Sequence, residues 1–157
     1  MTSPVPAGYD GLIPHLVCDP CADAIEFYKK AFGAEEVCRM PAPDGRRVMH
    51  AEIRIGGKMV FLADDFPEFC EGGSSQQGGG TPVTIHRYVE DCDAAIQRAA
   101  DAGATVVMPA ADMFWGDRYG VVSDPFGHRW SLATHISDPT PQEMAEAAQA
   151  AFAPPKP

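Results

Sequence analysis

The hydrophobic pattern of this chain changes period in the same order twice. Residues 13–18 form a short apolar-rich run. From residue 22 to 32 the apolar spacing becomes helical, with Ala24, Ile25, Tyr28 and Phe32 on one face. Asp19-Pro20 before it fits an N-cap followed by a first-turn proline, and Gly33 fits the stop. Residues 36–40, 48–55 and 58–63 then read as strands. Pro41 to Gly45 and Gly56-Gly57 supply the turns between them. The order is β-α-β-β-β.

The second half repeats it. Residues 82–89 read as a strand, Asp91 as an N-cap and residues 93–102 as a helix stopped by Gly103. Strands follow over 105–108, 119–123 and 129–134, the last two joined by the Asp124-Pro125-Phe126-Gly127 turn. His15, Ile25 and Gly33 occupy the same places in the first copy as His86, Ile96 and Gly103 in the second. A repeat present twice indicates two fused modules rather than a solenoid. A fused pair offers a cleft between copies, where small molecules bind. The predicted layout is a flexible lead over residues 1–10, a first module over 11–64 and a mobile linker over 65–81. A second module spans 82–136, and a C-terminal helix with a proline-rich tail spans 137–157. Thr140 to Glu143 reads as a capping box opening a helix over 144–152.

Composition narrows the function classes. Lys and Arg number 12 against 22 Asp and Glu, a formal charge of −10. That balance argues against nucleic acid, which needs a basic face, and against an anionic membrane surface. No apolar run reaches the length of a membrane span, and the N-terminus lacks the pattern of a signal peptide, so a cytoplasmic location is expected. Five scattered cysteines imply reduced thiols. Cys18 and Cys21 form a single C-x-x-C, read either as a redox pair or, preferably, as small core residues.

Four segments together resemble the vicinal oxygen chelate superfamily: I-E-F-Y-K-K-A-F-G-A, M-H-A-E-I-R-I-G-G, F-W-G-D-R-Y-G and D-P-F-G-H-R-W-S. That superfamily includes glyoxalase I, extradiol dioxygenases and bleomycin-resistance proteins, and the chain is most similar to its PhnB-like branch. The resemblance implies an α+β fold of two paired β-α-β-β-β modules, curved sheets around one cavity, and in most members a homodimer. It also implies a divalent metal held by His, Gln or Glu from the first and fourth strand of each module. Counting from the helix and from D-P-F-G places those positions at Ile13, Phe61, Thr84 and Ser131. None of these is a good ligand for such a cation. No cofactor is expected, and glyoxalase I or metal-dependent dioxygenase chemistry is disfavoured. A divalent metal would require a shifted site at His15 and His86.

The remaining chemistry lies near those positions. His15 and His86 are two residues further along their strands, so they share the face of the vacant positions. Repeat symmetry predicts that they approach each other across the cleft. They would act as a shifted metal site or acid–base pair, or else as hydrogen-bonded wall residues. His50, Glu52 and Arg54 share one strand face. They read as a cavity face with Glu52 as base and His50 as its orienter, as a solvated edge over buried Ala51, Ile53 and Ile55, or as a dimer contact. The aromatic stretch from Met113 to Tyr119 is expected in a loop, with Trp115 covering an apolar ligand and Arg118 holding an anionic group. The alternative there is a pinned loop with an Asp117–Arg118 ion pair. Phe61, Thr84 and Ser131 would line the cavity. No G-x-S-x-G, P-loop or dinucleotide-binding glycine pattern is present. The expectation is a small-molecule protein, with three variants. One is a lyase or isomerase acting by acid–base chemistry on a small oxygenated substrate. Another sequesters a drug or metabolite without chemistry. The third is a scaffold whose cavity is filled.

Overall fold

A computed structural model describes residues 3–69 and 81–151. The first module comprises β1 (His15–Val17), α1 (Cys21–Phe32), β2 (Glu35–Pro41), β3 (Val48–Ile55) and β4 (Lys58–Ala63). The second comprises β5 (Thr84–Tyr88), α2 (Cys92–Ala102), β6 (Thr105–Asp112), β7 (Asp117–Ser123) and β8 (Arg129–His135). Helix α3 (Pro141–Ala151) follows. The duplication is visible in the topology. The sheets are ordered β1-β4-β3-β2 and β5-β8-β7-β6, each with one parallel pair, β1–β4 or β5–β8, at its edge. Among the described residues, no helix is long and apolar enough to cross a membrane.

The helices obey their sequence signals with one exception. Gly33 and Gly103 take left-handed C-cap conformations and return their amides to the preceding turn. Asp91 caps α2 by accepting from the Ala94 amide at 2.9 Å. The capping box of α3 forms as expected: the Thr140 amide donates to Glu143 at 2.8 Å and the Glu143 amide to Thr140 at 3.3 Å. At α1, however, Asp19 is not the cap. The capping position falls on Pro20, which offers no side-chain acceptor, and the buried Asp64 supplies it from across the fold. Its carboxylate accepts from the Cys21 amide at 2.8 Å and the Val48 amide at 2.6 Å. A residue 43 positions away leaves no local trace in sequence.

Strand ends moved more. β6 continues to Asp112 and β7 starts at Asp117, so the aromatic loop shrinks to residues 113–116. Register shifts around Met108 absorb Pro109, and pairing resumes at Ala111–Tyr119 and Asp112–Arg118. The central part of the expected linker lies outside the described residues.

One core joins the two modules. The buried face of α1 carries Ala24, Ile25, Phe27, Tyr28 and Phe32. Phe32 lies 4.5 Å from Trp130 between ring centres, and Phe27 lies 6.0 Å from Phe126, so the first helix packs onto the second module as well as its own. The D-P-F-G-H-R-W segment anchors this contact. The buried Asp124 carboxylate accepts from the Tyr28 hydroxyl at 2.6 Å and the Trp130 indole at 2.9 Å. It also accepts from the amides of Phe126 and His128 at 2.9 Å. Burial pushes its pKa up, but the neighbouring His128 ring, Tyr28 and Trp130 outweigh that and draw it below the ordinary value. Cys18 and Cys21 are fully buried. Burial drives both thiols upward, Cys21 to about 12, so they serve as core residues rather than a redox pair.

Candidate functional site

Strand alternation separates each sheet into a face against the helices and a polar–aromatic face. On the first sheet, cross-strand register sets His15, Phe61, Glu52 and Cys38 in one row. His50 flanks Glu52 on the same face, its Nε2 3.3 Å from Glu52 Oε1. Tyr9 reaches over from the N-terminal segment and donates its hydroxyl to Glu52 Oε2 at 2.6 Å. Phe61 forms the apolar floor: its ring centre lies 4.8 Å from His50, 5.9 Å from His15 and 6.1 Å from Tyr9. The Tyr9 bond lowers the pKa of Glu52 despite partial burial, with His50 adding to the effect. Burial, then the neighbouring His50, holds the His15 pKa below its ordinary value, which keeps the imidazole neutral near pH 7.

The second sheet carries the matching row. His86 pairs in register with Ser131, and its Nδ1 lies 2.7 Å from the Ser131 hydroxyl. His86 meets Tyr88 edge-on at 4.8 Å and lies parallel to Tyr119 at 6.1 Å. Trp115 stands edge-on to Tyr119 at 5.5 Å. At the end of this face Asp117 accepts from the Tyr88 hydroxyl at 2.9 Å and lies 2.9 Å from Nδ1 of His135, whose Nε2 faces Asp138 at 3.0 Å. The Asp117 and Asp138 bonds raise the pKa of His135.

Several residues read from sequence therefore come together and others do not. His15, His50, Glu52 and Phe61 form one cluster; His86, Ser131 and Trp115 fall in a second, linked through Tyr119. Among the described residues no hydrogen bond or ring contact joins His15 to His86. Each ring makes its contacts within its own sheet, His15 with His50 and Phe61 and His86 with Tyr88 and Tyr119. Thr84 starts β5 opposite Arg129 and is exposed. Arg118 does not stand open to an anion: Asp93 clasps it through two nitrogens and Asp112 accepts at 2.8 Å. The expected Asp117–Arg118 pair is also absent, since Asp117 turns to Tyr88 and His135. Tyr9 went unread because it sits in the proline- and glycine-rich lead, 43 residues from its partner.

The divalent metal implied by the fold does not fit these residues. Phe61 and Ser131 occupy two of the expected corners, and Ser131 is already engaged by His86. Among the described residues, no three His, Cys, Asp or Glu side chains are placed to hold a metal ion.

Comparisons with known proteins agree with this architecture. The chain is 54% identical over 138 residues to an uncharacterized protein of Mycobacterium tuberculosis, covering 87% of this chain and 81% of that one. It resembles the crystal structure of TioX from Micromonospora at 27% identity and a TM-score of 0.63, covering 80% of this chain and all of the other. The putative 3-demethylubiquinone-9 3-methyltransferase, PhnB protein, from Bacillus cereus shares the fold at 16% identity and a TM-score of 0.62, covering 80% and 99%. Residues 12–132 match the family whose sheets, helices and paired modules have just been described, and the chain belongs to the Glyoxalase/Bleomycin resistance protein/Dioxygenase superfamily.

Proposed function

We propose that this chain is a small-molecule binding protein that holds its ligand against the polar–aromatic face of the first sheet without transforming it. The carrying observation is the state of Glu52. Both carboxylate oxygens are already engaged, by Tyr9 at 2.6 Å and by His50 at 3.3 Å, and the pKa is lowered. A carboxylate made more acidic is a poorer proton acceptor and a better fixed negative charge. Framed by Phe61, Tyr9 and two imidazoles, it suits a cationic group carried on an aromatic body. The charge of −10 steers such ligands inward. A homodimer and a cytoplasmic location belong to the same reading. Sedimentation of the purified chain tests the dimer.

A panel of aromatic amines followed by melting temperature tests the reading. A ligand present at a hundred times its Kd adds about 2.7 kcal/mol of stability. Glu52→Gln should remove the rise in Tm. A panel that leaves the wild type unmoved, or a rise that survives the substitution, would refute it.

One observation favours a catalytic alternative. His15 is neutral near pH 7 and makes no side-chain hydrogen bond among the described residues, which leaves it able to take a proton. In that case the protein would exchange the α-proton of a small oxo acid in D2O, as followed by NMR, and His15→Gln would abolish the exchange.

A further inference from the structure

A cleft lies where the C-terminus of α1 meets the end of β5 and the start of α2, apart from the Glu52 face and bordered by Tyr88 and His135 at the end of the second polar–aromatic face. Its volume is about 780 Å³, within the range of small-molecule sites. Two arginines line it. Arg98 crosses from α2 to the end of α1, donating through Nε to the Lys30 carbonyl at 2.7 Å. Arg87, at the end of β5, donates through Nη1 to the Phe32 carbonyl at 3.1 Å. Two glycines flank the guanidiniums at ordinary contact distance. A Cβ on Gly33 would sit 3.5 Å from the terminal nitrogens of Arg98, and one on Gly56 would sit 3.4 Å from Nη2 of Arg87.

These arginines differ from the three that are held in ion pairs. Arg39, Arg47 and Arg118 each lie against a carboxylate. Among the described residues neither Arg87 nor Arg98 forms an ion pair, and each keeps N–H groups that no acceptor takes. They also oppose each other: burial, then the charge of Arg98, lowers the pKa of Arg87. The acids on the rim are Glu90 and Asp91, and Asp91 is occupied capping α2. The rest of the wall is largely apolar, with Ala31, Phe32, Ala94 and Leu132.

From these observations we infer that the cleft between α1 and α2 is a second binding site, for a small molecule with an anionic oxygen head on an apolar body. The head bridges Arg87 and Arg98, whose planar forks match a carboxylate or a phosphate, and the body lies along Phe32 and Leu132. The helix-end carbonyls hold the guanidiniums in place beforehand, so little ordering is needed on binding.

Titration calorimetry at low salt with phenyl phosphate, benzoate and the neutral benzyl alcohol tests this. Both anions should bind, and the alcohol should not. A preference between the anions tells which head the site takes. Arg98→Gln should weaken the anions at least tenfold while leaving any aromatic amine on the first sheet unaffected. Arg87→Lys keeps the charge but loses the fork, and should weaken them less. Amide NMR places the probe independently of any variant: shifts should fall on Ala94, Ala95 and Thr134. Equal binding of the alcohol, indifference to Arg98→Gln, or shifts confined to the Glu52 face would overturn the inference. So would exclusion of the probes by a second copy, seen as sedimentation that changes with Arg98→Gln.

Discussion

At the scale of single residues, the buried carboxylate of Asp124 does different work from the exposed ones. Asp124 accepts four hydrogen bonds, two from side chains and two from amides. Asn in its place keeps the shape but sets an NH2 group against donors, so Asp124→Asn should cost about 3 kcal/mol in urea unfolding. Its folded pKa lies below the unfolded one, so its contribution is present above the unfolded value and is lost as pH falls through the folded value. Wild type should therefore lose stability in acid more steeply than the Asn variant. Glu52 makes a separate test of the site. Removing its best donor with Tyr9→Phe should raise the Glu52 pKa, read by carboxyl carbon NMR, with little change in Tm because both groups are partly solvated.

Among the secondary-structure elements, the junction of β7, β8 and α3 is the most constrained. The amides of Ile136 and Ser137 both donate to the Gly116 carbonyl, and a Cβ on Gly116 would stand 2.1 Å from the Ser137 carbonyl oxygen. Gly116 also has a φ of 98°, which other residues rarely adopt. His135 ties the same junction to Asp117 and Asp138. Its folded pKa is raised, so its contribution is fully present below the unfolded value of about 6.5 and disappears as pH rises through the folded value. The Tm of wild type should fall between pH 6 and 8.5 more than that of His135→Gln, and equal slopes would count against this latch. The sequence displayed the helices here and in both modules because their signals are local: apolar faces, Asp91, Gly33, Gly103 and the Thr140–Glu143 box. It hid the Cys21 amide that meets Asp64, the Tyr88 donor to Asp117, the Asp93 partner of Arg118 and the Tyr9 donor to Glu52, which arrive from other elements through tertiary placement that no local pattern encodes. The polar face of β3 was legible as alternation, while its Tyr9 cover was not.

For the molecule as a whole, α1 belongs energetically to both modules. Its Tyr28 hydroxyl bonds to Asp124, and its Phe32 ring packs on Trp130. The two modules should unfold as one unit, because each loses part of its core when the other opens. In Trp115→Phe, emission then reports on Trp130 alone. Its denaturation midpoint should coincide with that of far-ultraviolet circular dichroism, and two separated transitions would contradict a shared core. Tyr28→Phe should shift both midpoints together, by about 1–2 kcal/mol, as expected for removing one of the four donors to a buried carboxylate.

The carboxylate of Asp124 has a consequence for dividing the chain. With a phenol of one copy serving as donor to an acid of the other, a copy set free loses that bond and opens to water the rings that pack across the seam, Phe27 and Phe32 on one side and Phe126 and Trp130 on the other. Genes encoding residues 1–69 and 81–157 separately should give insoluble products when expressed singly, and a soluble pair only when made in the same cell.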